Sequence, residues 1–115
     1  PAMAADARRT SATLGAALRR RVTAEGGFAT VVVRGDDISG VILVQALERG
    51  RFTGLFERVP NLDGNYALMP CGPAPEDGAE ALDQYIARRR RSDPDLWIIE
   101  LDIPNAERFA AETIC

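Results

Sequence analysis

The sequence predicts an α+β fold: an antiparallel β meander of about four strands, a C-terminal strand, and two helices packed on one sheet face. Three observations carry that prediction. Leu14, Ala17, Leu18 and Val22 recur at helical spacing. Between Phe28 and Pro70, short apolar and β-branched runs are separated by Gly, Asp and Asn turns. After a Pro/Gly loop, a second helical stretch leads into the dense apolar run Leu96–Ile103.

Taken in order, residues 1–7 read as a disordered lead and 8–115 as one α+β domain. The lead has no apolar core of the kind a signal peptide needs. Arg8–Ala12 is expected as a short edge strand. The first helix should run from Thr13 to Glu25 and stop at Gly26-Gly27, because a left-handed cap suits glycine. Val31–Val33 and Val41–Val44 are expected as central strands. Turns fall at Asp36, Gly50 and Asp63-Gly64-Asn65. In the third strand, Phe52–Val59, alternation puts Phe52, Gly54, Phe56 and Arg58 on one face and Thr53, Leu55, Glu57 and Val59 on the other. Glu76 and Asp77 precede a second helix over Ala79–Arg91, where acids suit the helix dipole. Pro94 ends that helix, Leu96–Ile103 forms the last strand, and the residues after Pro104 form a short terminal helix.

Composition removes several chemistries. The 115 residues are 46% hydrophobic and 27% charged. No apolar run approaches the ~20 residues of a membrane helix, so no membrane contact is expected. There is no His, and all 14 basic residues are Arg. That excludes Ser-His and Cys-His pairs, imidazole metal ligands, lysine Schiff bases and the lysine phosphate loop. No cofactor or metal is expected. The net charge of −3 and pI near 4.9 disfavour nucleic acid as a partner. Cys71 and Cys115 are too few for a disulfide framework, which points to reduced thiols and the cytoplasm.

The most distinctive stretch is "YIARRRRSDPDLWIIELD", Tyr85–Asp102. On a helical wheel Arg89 falls inside the apolar stripe of Leu82, Tyr85 and Ile86. Arg90 flanks it, and Arg88 and Arg91 point away. None has an acid four residues earlier. Arg89 therefore needs a distant acid, with Glu100 or Asp93 the expected partner. In the first helix Arg21 joins the stripe while Arg19 and Arg20 face out. Asp93 before Pro94 is expected to accept backbone N–H groups as an Asx turn, with Asp95 beyond it. Trp97 alternates with Ile99 and Leu101 and is expected in the core. Cys71 reads as a buried loop residue.

The chain resembles the domain of unknown function 1491 family, small alphaproteobacterial proteins, over roughly Arg8–Phe109. The residues carrying the resemblance are the Arg19–Arg21 run before "EGGFATVVVRGD", "GVILV" at Gly40–Val44, and the Tyr85–Asp102 stretch. "RRTSATLG" departs from it, with small polar residues where an apolar strand is usual. The resemblance implies a fold and no catalytic residues.

Three functions follow from these readings. The first is a non-catalytic protein-interaction module with an unknown protein partner or a second copy of itself. The second is nucleic-acid or anion binding through Arg19–Arg21 and Arg88–Arg91, where two arginine-rich helix ends would lie close. The third is a metal-dependent enzyme built on Glu100 and Asp102 with Asp36 or Asp37, although those strand carboxylates could equally receive Arg89 or Arg58.

Overall fold

A computed structural model describes residues 10–115. The expected lead at 1–7 lies outside the described residues, as do Arg8 and Arg9. The edge strand expected at Arg8–Ala12 is not formed by its described part. Thr10 instead caps a helix, its hydroxyl accepting from the Thr13 amide at 3.3 Å. That helix, α1, spans Ser11–Ala24 and buries Leu14, Leu18 and Val22. Gly26, at φ 87°, ends it, and the Gly27 amide returns to the Val22 carbonyl at 2.9 Å.

The strands are β1 (Phe28–Val33), β2 (Ile42–Glu48), β3 (Arg51–Pro60) and β4 (Tyr66–Pro70). After one 3-10 turn at Pro75–Asp77 come α2 (Ala79–Ser92), β5 (Trp97–Asp102) and α3 (Ala106–Ile114). The α+β class, mainly antiparallel pairing and short terminal helix agree with the sequence reading.

Two features of the expected arrangement are corrected. The sheet order is β1-β5-β2-β3-β4, with β5 inserted between β1 and β2. It runs antiparallel to β1 and parallel to β2, so only β2-β3-β4 is a meander. The helices also do not share a face. α1 and α3 cover Val44, Ala46, Trp97, Ile99 and Leu101. α2 covers Leu43, Leu55, Leu96 and Ile98 on the other side. The reason is visible in β5, where Trp97, Ile98 and Ile99 are all fully buried in succession. A strand with no polar alternation needs cover on both faces.

β1 is an edge strand rather than the central one its valines suggested. Ala29 and Val31 pack under α1, Val33 packs toward α2, and Phe28 and Val32 stay 74% and 52% exposed. In β3 the alternation is broken. Ala46 pairs with Gly54 but Leu47 pairs with Phe52, leaving Thr53 as an extra residue. This bulge moves Phe52 to the α2 face while Phe56 packs under α3, so the two do not share a face.

Candidate functional site

The stretch that stood out in sequence, Tyr85–Asp102, forms a structural clasp with the β1–β2 loop. α2 ends at Asp93, whose amide donates to the Arg89 carbonyl at 2.9 Å. Its carboxylate accepts from the Asp95 amide at 3.1 Å, the Asx turn expected before Pro94. The β1–β2 loop then docks on this corner. The Asp36 amide donates to the Asp95 carbonyl at 3.0 Å, and the Trp97 indole N–H donates to the Asp36 carbonyl at 2.6 Å. Arg34 stacks over the Trp97 ring at 4.9 Å while its guanidinium holds Asp37 at 2.9 Å. Ser11 ties α1 to the same loop, its hydroxyl donating to the Gly40 carbonyl and its amide to that of Ile38.

Three acids of the supposed metal site, Asp36, Asp37 and Asp102, are used elsewhere in this frame. Asp36 accepts from the Ser39 and Ile38 amides at 2.9 and 3.1 Å, and these bonds hold its carboxyl below the usual aspartate range. Asp102 sits at the far end of β5, where it accepts from the Arg49 and Gly50 amides at 2.9 Å each and fastens the β2–β3 turn. Asp36 and Asp102 thus flank opposite ends of a six-residue strand, roughly 15–20 Å of chain. Glu100 lies between them, half-buried beside Thr30 and Gln45. The four carboxylates of the enzyme reading are not brought together, and no metal-holding group of three His, Cys, Asp or Glu occurs among the described residues.

Arg89 meets Glu57 of β3 at 2.8 Å rather than Glu100 or Asp93, and also donates to the Tyr85 hydroxyl at 2.8 Å. Burial alone would lower its pKa, but the bonds to Glu57 and Tyr85 outweigh that and keep it above the ordinary value. Arg58 does not reach the β5 acids expected for it either. It donates to the Ile114 carbonyl at 2.6 Å and stacks on Tyr66. Cys71 lies beside Tyr85, and burial pushes its thiol up, away from nucleophilic character.

The remaining arginines stay at the surface. Arg88, Arg90 and Arg91 are exposed toward the end of α2, Arg88 lying 5.6 Å from the Tyr85 ring. Arg90 borders a cleft of about 250 Å³ with Val33, Arg34 and Asp93. Arg21 is engaged by Glu112 at 2.7 Å and Phe109 at 5.2 Å. Arg19 and Arg20 are exposed and border a shallow groove of about 510 Å³ with Ala16, Thr23 and Ala24.

The two arginine groups do not lie close. α1 and α2 are on opposite sheet faces. α1 also ends beside Asp102 and Ile103, where Gly27 packs, whereas α2 ends at the start of β5. A single basic patch is therefore not formed. The surface that the sequence reading missed is β1 itself. Its signal was present: six residues without a charge, followed by an acidic turn.

Comparison with known proteins follows this geometry. The family model described as Protein of unknown function (DUF1491) matches residues 9–111. The fold is similar to a crystal structure of a DUF1491 family protein from Caulobacter crescentus, with TM-score 0.75 and 34% identity over 87% of this chain and 92% of that one. It is similar to the NMR structure of a DUF1491 family protein from the same organism, with TM-score 0.71 and 33% identity over 87% and 90%. A solution structure of a protein from A. tumefaciens is similar at TM-score 0.64 and 30% identity, over 84% and 86%. No curated protein matches the chain.

Proposed function

The chain belongs to the family Protein of unknown function (DUF1491), and from that premise we propose that it acts as a non-catalytic protein-interaction module whose docking surface is the open edge of β1. One observation carries this reading. Among the described residues β1 is paired on one side only, by β5, and it contains neither a charge nor a proline. Edge strands present unpaired N–H and C=O groups, and chains that avoid pairing protect them with charges, prolines or bulges. β1 has only the bulge at Val32, near its end. The opposite edge, β4, is shorter and ends on Pro70.

The other two functions have weaker support. Nucleic-acid binding through Arg19–Arg21 and Arg88–Arg91 needed one basic surface, and these groups occupy opposite faces. A carboxylate enzyme needed Glu100, Asp102 and Asp36 or Asp37 together, but Glu100 and Asp102 lie in the last half of β5 while Asp36 and Asp37 lie in the β1–β2 loop docked before its start. The proposal sets the protein in the cytoplasm, which suits two unpaired thiols, Cys71 and Cys115. None of the described helices is long and apolar enough to cross a membrane.

The test is capture of binding partners by the immobilised chain, compared with a Val32→Glu variant. Val32 is half-exposed, so the variant should keep its far-UV spectrum and melting temperature. Capture that disappears with Val32→Glu supports the reading. Capture that is unchanged contradicts it. Mass against concentration separates another protein from a second copy.

A further inference from the structure

Resting on the β1 docking surface proposed above, we infer that the occupant is a strand of another protein that carries an arginine or lysine opposite Thr30, placed to pair with Glu100 of β5. The register of the sheet sets Glu100 beside the open edge. Residues directly opposite one another, or two apart on one strand, share a sheet face. Ile98 faces α2, so Glu100 and Asp102 face the same way. Glu100 stands opposite Thr30 of β1 on one side and Gln45 of β2 on the other. Phe28 stands opposite Asp102. On this face, Thr30 is the residue that separates Glu100 from the free edge.

The face is open there. α2 packs on Leu43, Leu55, Leu96 and Ile98. Outside that cover, Phe28 and Thr30 are exposed, and Glu100 and Gln45 are only partly buried. Glu100 is the unexplained group on this surface. Among the described residues its carboxylate has no hydrogen-bond or ion-pair partner, and no arginine reaches it. The next charge along its face of β5, Asp102, has the same sign. While the edge is open, the Glu100 charge is left to solvent. A strand added to β1 narrows that access, and covering a carboxylate costs free energy unless the cover brings a cation. An arginine or lysine opposite Thr30 can lay its stem across that short side chain and carry its charge to Glu100. An apolar residue two positions along the same strand meets Phe28, which is 74% exposed. A second copy does not meet this demand, because its β1 contains no charge. The net charge of −3 favours encounter with a basic partner.

The test titrates the full chain into three fluorescein-labelled peptides, read by anisotropy. They are Thr-Val-Thr-Arg-Thr-Val-Thr and its versions with Gln or Glu in place of the central Arg, so that the central residue shares one face with both valines. The Arg peptide should bind about fivefold more tightly than the Gln peptide, with the Glu peptide weakest. The margin should shrink as salt rises. Glu100→Gln should erase the margin between the Arg and Gln peptides without lowering the melting temperature, since the carboxylate has no partner to lose. Thr30→Arg, at an exposed position, supplies the cation from β1 itself and should erase it too. Equal binding of the Arg and Gln peptides to the parent, a margin that survives either substitution, or binding of no peptide overturns the inference. The docking reading is decided separately. If the peptides bind alike and Val32→Glu weakens them all, the edge is the surface and only the charge assignment fails. If none binds but the chain dimerises with concentration and Val32→Glu restores the monomer, a second copy occupies β1 and the docking reading stands. If none binds, and Val32→Glu alters neither mass nor capture, the docking reading fails as well.

Discussion

Arg89 of α2 and Glu57 of β3 meet at 2.8 Å, and this is the ion pair that fastens α2 to its face of the sheet. α2 buries only Leu82 fully, with Tyr85 and Ile86 partly covered. With so little apolar anchorage, the polar pair matters more here than on α1. Both side chains are about one-quarter exposed. Arg89→Ala should therefore destabilise the protein by about 1–3 kcal/mol in urea unfolding. Glu57→Ala in the Arg89→Ala background should add little, because the two act as a unit. Additive losses would show that the pair is not coupled.

Trp97 is the single tryptophan, so its fluorescence reports the clasp directly. Trp97→Phe keeps an aromatic in the core but strands the Asp36 carbonyl and puts a smaller ring in place of the indole beneath Arg34. The expected loss is about 1–3 kcal/mol, with native Trp emission in the parent lying in the blue, buried range. An exposed emission maximum in the folded protein would contradict the burial of this residue.

The loop itself carries a pH dependence. The Ser39 amide first, then that of Ile38, stabilises the Asp36 carboxylate and lowers its pKa in the folded state. A depressed carboxylate contributes stability above its unfolded value, and loses it as pH falls through the lower, folded value. Acid unfolding below the ordinary aspartate range should thus be steeper for the parent than for Asp36→Asn. Parallel stability curves would remove this contribution.

Gly40 lies against the Asp95 carbonyl and the Trp97 indole, and an added Cβ would fall 2.7 Å from the indole Cδ1 as well as onto that carbonyl. Gly40→Ala should cost about 1–3 kcal/mol by forcing the loop off β5. Gly64, in a tip where a Cβ would meet nothing within 4 Å, is the comparison. Its alanine variant carries only the strain of φ 88°, without a clash. Equal behaviour of the two would contradict the close approach at Gly40.

What was legible in sequence follows from what is local. α1, α2 and β5 were readable because periodicity and apolar runs are properties of neighbouring residues. Pro94, Asp93 and Trp97 were readable because a proline corner and its Asx turn are short-range chemistry. The insertion of β5 between β1 and β2 has no local signature, since long-range pairing is decided by two-sided burial of Ile98 and Ile99. Placing both helices on one face failed for the same reason. Glu57 was missed as the partner of Arg89 because spacing rules reach only about one helical turn. The bulge at Thr53 reversed Phe52 because one inserted residue flips all alternation beyond it.

The central claim is that the free edge of β1 is open in the isolated chain and is the surface on which a partner docks. Residue-by-residue amide hydrogen exchange of the monomer tests it most directly. Outward-facing amides of Phe28–Val33 should exchange orders of magnitude faster than those of Ile98 and Ile99 in the adjoining strand, and should slow when a bound strand covers the edge. Protection of every β1 amide at the level of β5 in the free monomer would show that the edge is already covered, and would contradict the account.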